Sequence, residues 1–78
     1  MDGLFRMSLE EKKPIVIMYM TDDRVITDRS IIVRKIHPDY IRAYCFKRGT
    51  LRTFKRDNIL AASKPFRKGK HSPFSTAL

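Results

Sequence analysis

Between Tyr40 and Ile59 the chain alternates, reaches a glycine and alternates again, and this stretch narrows the choice of fold more than any other. A period of two puts successive side chains on opposite faces, the pattern of a strand. Tyr40 to Phe46 reads as one strand, Lys47-Arg48-Gly49-Thr50 as a turn, and Leu51 to Phe54 as the returning strand. Ile41, Ala43 and Cys45 share one face, small and apolar, suited to a core. Tyr40, Arg42, Tyr44 and Phe46 share the other. Aromatic rings interleaved with guanidinium groups suit stacking on bases and contact with phosphates.

The flanking sequence supplies further strands. Ile15 to Met20 is a continuous apolar run rich in β-branched residues, which reads as a buried strand, and Thr21-Asp22-Asp23-Arg24 as a polar hairpin turn. Val25 to Ile36 has apolar residues on both parities, so a bulge or bend near Ser30 is expected to switch which parity points inward. His37-Pro38-Asp39 is a turn, Lys55-Arg56-Asp57-Asn58 a polar corner, and Ile59-Leu60-Ala61-Ala62 a last short strand. Ahead of them, residues 2–13 read as a packing helix lined by Leu4, Phe5 and Leu9, with Met7 near that side. Ser8 and Glu11 also fit a capping box that would start a shorter helix at Ser8, and Pro14 ends either one. One helix followed by about five short strands is a mainly β (α+β) pattern that favours a small closed barrel.

A chain of 78 residues is one small domain with a modest interior. Residues 1–63 are expected to form it, and residues 64–78 a basic, mobile tail anchored only by Phe66 and Phe74. The tail reads equally as an arm along a phosphate backbone or as a solubilising terminus. The net charge is +9, and it is uneven: residues 1–46 hold 8 Lys/Arg against 7 Asp/Glu, residues 47–78 hold 9 against 1, so +1 and +8. A one-sided basic field attracts polyanions, nucleic acid foremost. One cysteine forms no internal disulfide, and with no secretory signal a cytoplasmic, reducing setting is expected. The longest apolar run is far too short to span a bilayer, so no membrane partner is expected.

Catalytic and cofactor signatures are missing. There is no glycine-rich phosphate loop and no Cys/His pair at zinc spacing, so neither metal nor cofactor is expected. Cys45 lies mid-strand on the apolar face and reads as an inert buried thiol. Asp22 and Asp23 are neighbours in a turn and read as turn formers rather than acid–base catalysts.

Ala43-Tyr44-Cys45, Arg48, Arg52-Thr53-Phe54, Arg56-Asp57 and Ile59 together resemble the core signature of the WYL domain family. Lys12 to Tyr19 resembles that family's first strand with its tyrosine, and Ile26-Thr27-Asp28-Arg29 its second strand with its arginine. The likeness covers residues 8–63. The triplet that names the family stands here as Asp39-Tyr40-Ile41, which keeps only the tyrosine. The resemblance implies a five-stranded SH3-like, Sm-like barrel behind one short N-terminal helix. It also implies a regulatory module that senses nucleotides or single-stranded nucleic acid. Arg29, Arg48, Arg52 and Arg56 match the family's polar positions. WYL domains usually follow a helix-turn-helix, whereas the segment before Pro14 offers at most one helix, so the resemblance implies a stand-alone form.

Three readings follow, in order. The first is a non-enzymatic module of transcriptional regulation binding single-stranded nucleic acid or nucleotide through Arg29, Tyr40, Arg42, Tyr44, Arg48, Arg52 and Arg56. The second is a protein-interaction module, homo-oligomeric or docked on another regulator through a barrel edge. The third, a small enzyme, would need a reactive Cys45.

Overall fold

The computed structural model describes residues 1–65; residues 66–78, most of the expected tail, lie outside the described residues. The elements run α1 (Asp2–Glu11), β1 (Ile15–Met20), β2 (Ile26–Ile36), β3 (Tyr40–Cys45), β4 (Thr50–Lys55), a 3-10 turn (Arg56–Asn58) and β5 (Ile59–Ser63). The protein is mainly β: five antiparallel strands form one sheet in the order β4-β3-β2-β1-β5, preceded by one helix. The expected closure does not occur, because β4 and β5 are the two edges and do not pair with each other. The sheet nevertheless curls. Lying flat, β4 and β1 would stand three strand spacings apart, about 14 Å. Yet the rings of Tyr19 on β1 and Phe54 on β4 meet edge to face at 5.0 Å. The arrangement is compatible with an SH3-like or Sm-like fold.

Strand parity sets the inside. Ile15 and Ile17, Ile31 and Val33, Ile41, Ala43 and Cys45, then Phe54 and Ile59, form one buried cluster with Phe5 of the helix. The face of β3 assigned to the core from alternation is therefore the buried one. The second half of β1, Met18 to Met20, is only half-buried, since it runs out to the mouth of the curl. In β2 the expected switch near Ser30 is absent: Thr27 and Arg29 share the inward parity of Ile31 and Val33. The irregularity falls between Val33 and Lys35, where the β2–β3 register shifts. A bulge adds one residue to one strand, so Arg34 and Lys35 are both exposed and Ile36 packs against the core. The bulge lies past Ile31, where β1 has ended and β3 alone still pairs with β2.

The helix does what a sixth strand would otherwise do. β2 outruns β1, whose pairing ends at Ile15↔Ile31, so Val33 has no β1 partner. Ser8 fills that place. Its Oγ accepts the Val33 N–H at 2.9 Å and donates to the Lys13 carbonyl at 2.6 Å. Ser8 is thus a fully buried residue in the helix interior, not the N-cap that the capping-box spacing suggested. The helix ends at Glu11, two residues earlier than expected, because Lys12 turns left-handed at φ 56° and the Lys13 N–H bonds the Ser8 carbonyl at 3.3 Å. That turn frees Pro14 to start an extended segment.

Candidate nucleic-acid interface

The β1–β2 turn and the β3–β4 hairpin form opposite walls of an open cleft of about 730 Å³. The first wall is built by Thr21. Its N–H bonds the Val25 carbonyl at 2.9 Å, and its Oγ1 accepts the Val25 N–H at 3.1 Å. These bonds hold Asp22 and Asp23 at the rim. The second wall depends on Gly49, whose φ of 69° suits glycine and whose N–H bonds the Cys45 carbonyl at 2.7 Å. This turn carries Arg48, and β4 then carries Arg52.

Register explains why Arg29 and Arg52 meet at one mouth. Ala43 is buried and pairs with Arg52, and directly opposed residues share a face, so Arg52 points to the concave side. Arg29 has the inward parity of β2. Its Nε donates to Thr27 Oγ1 at 3.1 Å, and its Nη1 lies 4.0 Å from Cys45 Sγ. Arg29, Arg48 and Arg52 all line the cleft. Among the described residues the ion pairs are Lys13–Glu11 and Arg56–Asp2, so none of these three arginines has a carboxylate within bonding distance, although Asp22 and Asp23 stand across the cleft. Guanidinium groups that share a cleft with no carboxylate in bonding distance are set to take a polyvalent anion.

The other expected site residues stand elsewhere. Tyr40, Arg42 and Tyr44 occupy the convex face of β3. Tyr40 stacks on His37, with ring centroids 4.4 Å apart. Arg42 Nη1 donates to Thr53 Oγ1 at 2.9 Å. Tyr44 meets Phe46 edge to face at 5.2 Å. Arg56 is a scaffold clamp. It binds the Asp2 carboxylate, donates from Nη1 to the His37 carbonyl at 3.3 Å, and lies 5.6 Å from the Phe5 ring centre. It therefore ties the helix start to the β2–β3 turn and does not line the cleft.

Among the cleft residues outside the sequence-derived set are Tyr19 and Lys55. Tyr19 shares the inward parity of Ile15 and Ile17, and its hydroxyl accepts the Lys55 N–H at 3.3 Å, which occupies one backbone donor on the open edge of β4. Lys55 adds a further cation to that rim. The continuous apolar run of β1 gave no parity for Tyr19; that β1 faces β4 was decided by the curl.

Cys45 lies under this cleft and is fully buried. Burial pushes its thiol pKa up, but the Arg48 N–H, the Arg29 guanidinium and the Lys47 N–H pull it down, and the net shift is downward. With no path for a reagent, Cys45 is expected to react with an aromatic disulfide roughly a hundredfold or more slowly in the native protein than in urea. Fast native-state labelling would instead mark it as a reactive thiol.

Among the described residues no group of three or more His, Cys, Asp or Glu is placed to hold a metal ion, and no helix is long and apolar enough to cross a membrane. Comparison with family models, curated proteins and solved structures finds no match to this chain.

Proposed function

We propose that this protein is a non-enzymatic, cytoplasmic binding module for single-stranded nucleic acid or a nucleotide, acting in regulation in the manner of the WYL domains it resembles. The observation that carries the reading is the cleft in which Arg29, Arg48 and Arg52 meet without a carboxylate partner. Phosphate oxygens satisfy such forks in pairs, and Tyr19, half-buried at the same cleft, offers a ring to a sugar or base. The charge imbalance between the two halves of the chain supports the same reading.

The test is fluorescence anisotropy of labelled single-stranded DNA, single-stranded RNA and duplex across a salt series. Single strands are expected to bind, and Arg48→Ala/Arg52→Ala is expected to reduce the log–log salt slope by about 1.4, the value for two single-strand phosphate contacts. A full-length variant with Arg67, Lys68 and Lys70 changed to alanine separates the tail from the cleft. If only that variant loses binding, the contacts belong to the tail and the cleft reading falls.

The open sheet favours a second reading. Among the described residues β4 and β5 are the edges without a strand partner, and each carries an exposed leucine, Leu51 at 42% and Leu60 at 44%. β5 has no charged residue to discourage pairing with another strand. A module that self-associates or docks on a regulator through these edges would sediment as a dimer or larger species and ignore oligonucleotides.

A further inference from the structure

Apart from Thr53 and Lys55, which also line the cleft, the convex side of the hairpin holds residues that the cleft does not use. Directly opposed strand residues share a face, so the register lays them out in rows. Leu51, Tyr44 and Ile32 form one row, with Tyr44 paired to Leu51 on β4 and to Ile32 on β2. Thr53, Arg42 and Lys35 form the next, and Lys55 and Tyr40 the one beyond. On the other side of the first row, the Phe46 N–H bonds the Ser30 carbonyl at 3.1 Å, which carries the pattern past the end of β3. Phe46 is 50% exposed and Leu51 42%. Helix α1 packs on the opposite side, where Phe5 joins the core. Phe46 and Leu51 thus stay open at the hairpin end of the patch, while His37 stacks on Tyr40, and Leu9 of the helix and Lys12 at its end border Ile32 and Arg34 at its other side.

Its composition selects the occupant. Along β3 the outward positions recur about every 7 Å, giving ring, ring, guanidinium, ring from Phe46 to Tyr40. After the bulge Lys35 pairs with Arg42 and is exposed, and Lys55 stands beside Tyr40. The carboxylate on the outward parity of β2, Asp28, stands one outward position beyond Ser30, about 7 Å past the Phe46 row. A patch of this mixture suits neither a lipid interior nor a basic partner. It suits unpaired bases, whose flat faces stack on rings while the backbone phosphates reach the cations. A duplex buries its base faces and could use only the cations.

We infer that the outer face of β2, β3 and β4 is a second binding surface, on which bases of a single-stranded nucleic acid stack against Phe46 and Tyr44 while Arg42 and Lys35 hold its phosphates. It goes beyond the cleft and stands on different residues. Arg48 follows Phe46 by two positions in the hairpin turn and lines the cleft, so a strand stacked on Phe46 leads over the turn toward the arginine mouth. The surface makes the ligand a polymer rather than a mononucleotide.

The chain has no tryptophan, so Phe46→Trp places one fluorophore on the patch. Titrating the full-length variant with an oligo-dT strand of about twelve nucleotides, within the usual span of single-strand sites, is expected to quench the indole as bases stack. Inorganic polyphosphate is expected to bind without that quench. Phe46→Ala is expected to weaken the oligonucleotide about tenfold, the effect of losing one stacked base, and to leave mononucleotide binding unchanged. The inference is overturned if anisotropy shows the strand bound to Phe46→Trp with no quench, or if Phe46→Ala binds it like the wild type. It is also overturned if Phe46→Ala converts an oligomer to a monomer without changing oligonucleotide affinity, since the patch then joins copies of the chain. Quenching that persists in Arg48→Ala/Arg52→Ala at wild-type affinity would sink the cleft reading and keep this one. A wild-type protein that binds no strand at low salt ends both.

Discussion

Phe5→Ala is expected to lower the unfolding free energy by about 3–5 kcal/mol, the range for emptying a buried aromatic site. Phe5 is 1% exposed and is the helix's contribution to the core cluster. Its ring also lies under Arg56, which binds Asp2 on the same helix, so the truncation removes a packing surface and loosens a clamp together. A domain of this size draws only about 3–5 kcal/mol from one core. Most of the variant should therefore be unfolded at 25 °C, with loss of the cooperative urea transition. If Phe5→Ala keeps that transition and loses less than about 1 kcal/mol, the helix is not part of the cooperative unit.

Ser8→Ala is expected to cost about 2–3 kcal/mol, although it removes a single oxygen atom. That oxygen accepts the Val33 N–H and donates to the Lys13 carbonyl, and the first of these bonds is fully buried. Alanine leaves the Val33 donor without a partner at the point where β1 has run out. The loss of a buried partner costs more than the bond is worth in exchange with water. A shift of the urea midpoint with an unchanged slope is the expected signature. Glu10→Ala, on the exposed side of the helix, should change stability by no more than about 0.5 kcal/mol and serves as the control. Equal midpoints for the two variants would show that Val33 finds another acceptor. The link to function is direct, because β2 carries Arg29 at one end and Lys35 at the other, and Ser8 steadies the strand between them.

Much of the fold could be read from local pattern. Tyr40 to Cys45 alternates strictly, and all three residues assigned inward, Ile41, Ala43 and Cys45, are fully buried. Gly49 marked a turn because its left-handed φ disfavours other residues. Pro14 marked the end of the helical segment. The bulge was harder to place, since it depends on where β2 loses β1 and gains β3, not on the residues of β2 alone. Ser8 misled for the same reason. Serine followed three residues later by glutamate fits a helix start in any sequence, and only the packed structure brings Val33 to its hydroxyl.

The site divides along the same line. Sequence gave the arginines and tyrosines and the parity of each strand, because side-chain direction follows from the pleat and needs no partner. It grouped Arg29, Arg48, Arg52 and Arg56 with Tyr40, Arg42 and Tyr44 as one surface. The structure separates them into a concave mouth, a convex face and a clamp. Strand register placed Arg52 on the side of Ala43 and Arg42 on the opposite one, and the curl of the sheet brought β4 across to Tyr19. Composition and periodicity by themselves determined a small, basic, mainly β domain with a helix in front and the inward or outward sense of most strand residues, since these are local properties of the chain. Which cations share a cleft, which rings lie exposed together and which arginine is spent on the scaffold were decided by pairing and curvature, which join residues far apart in sequence.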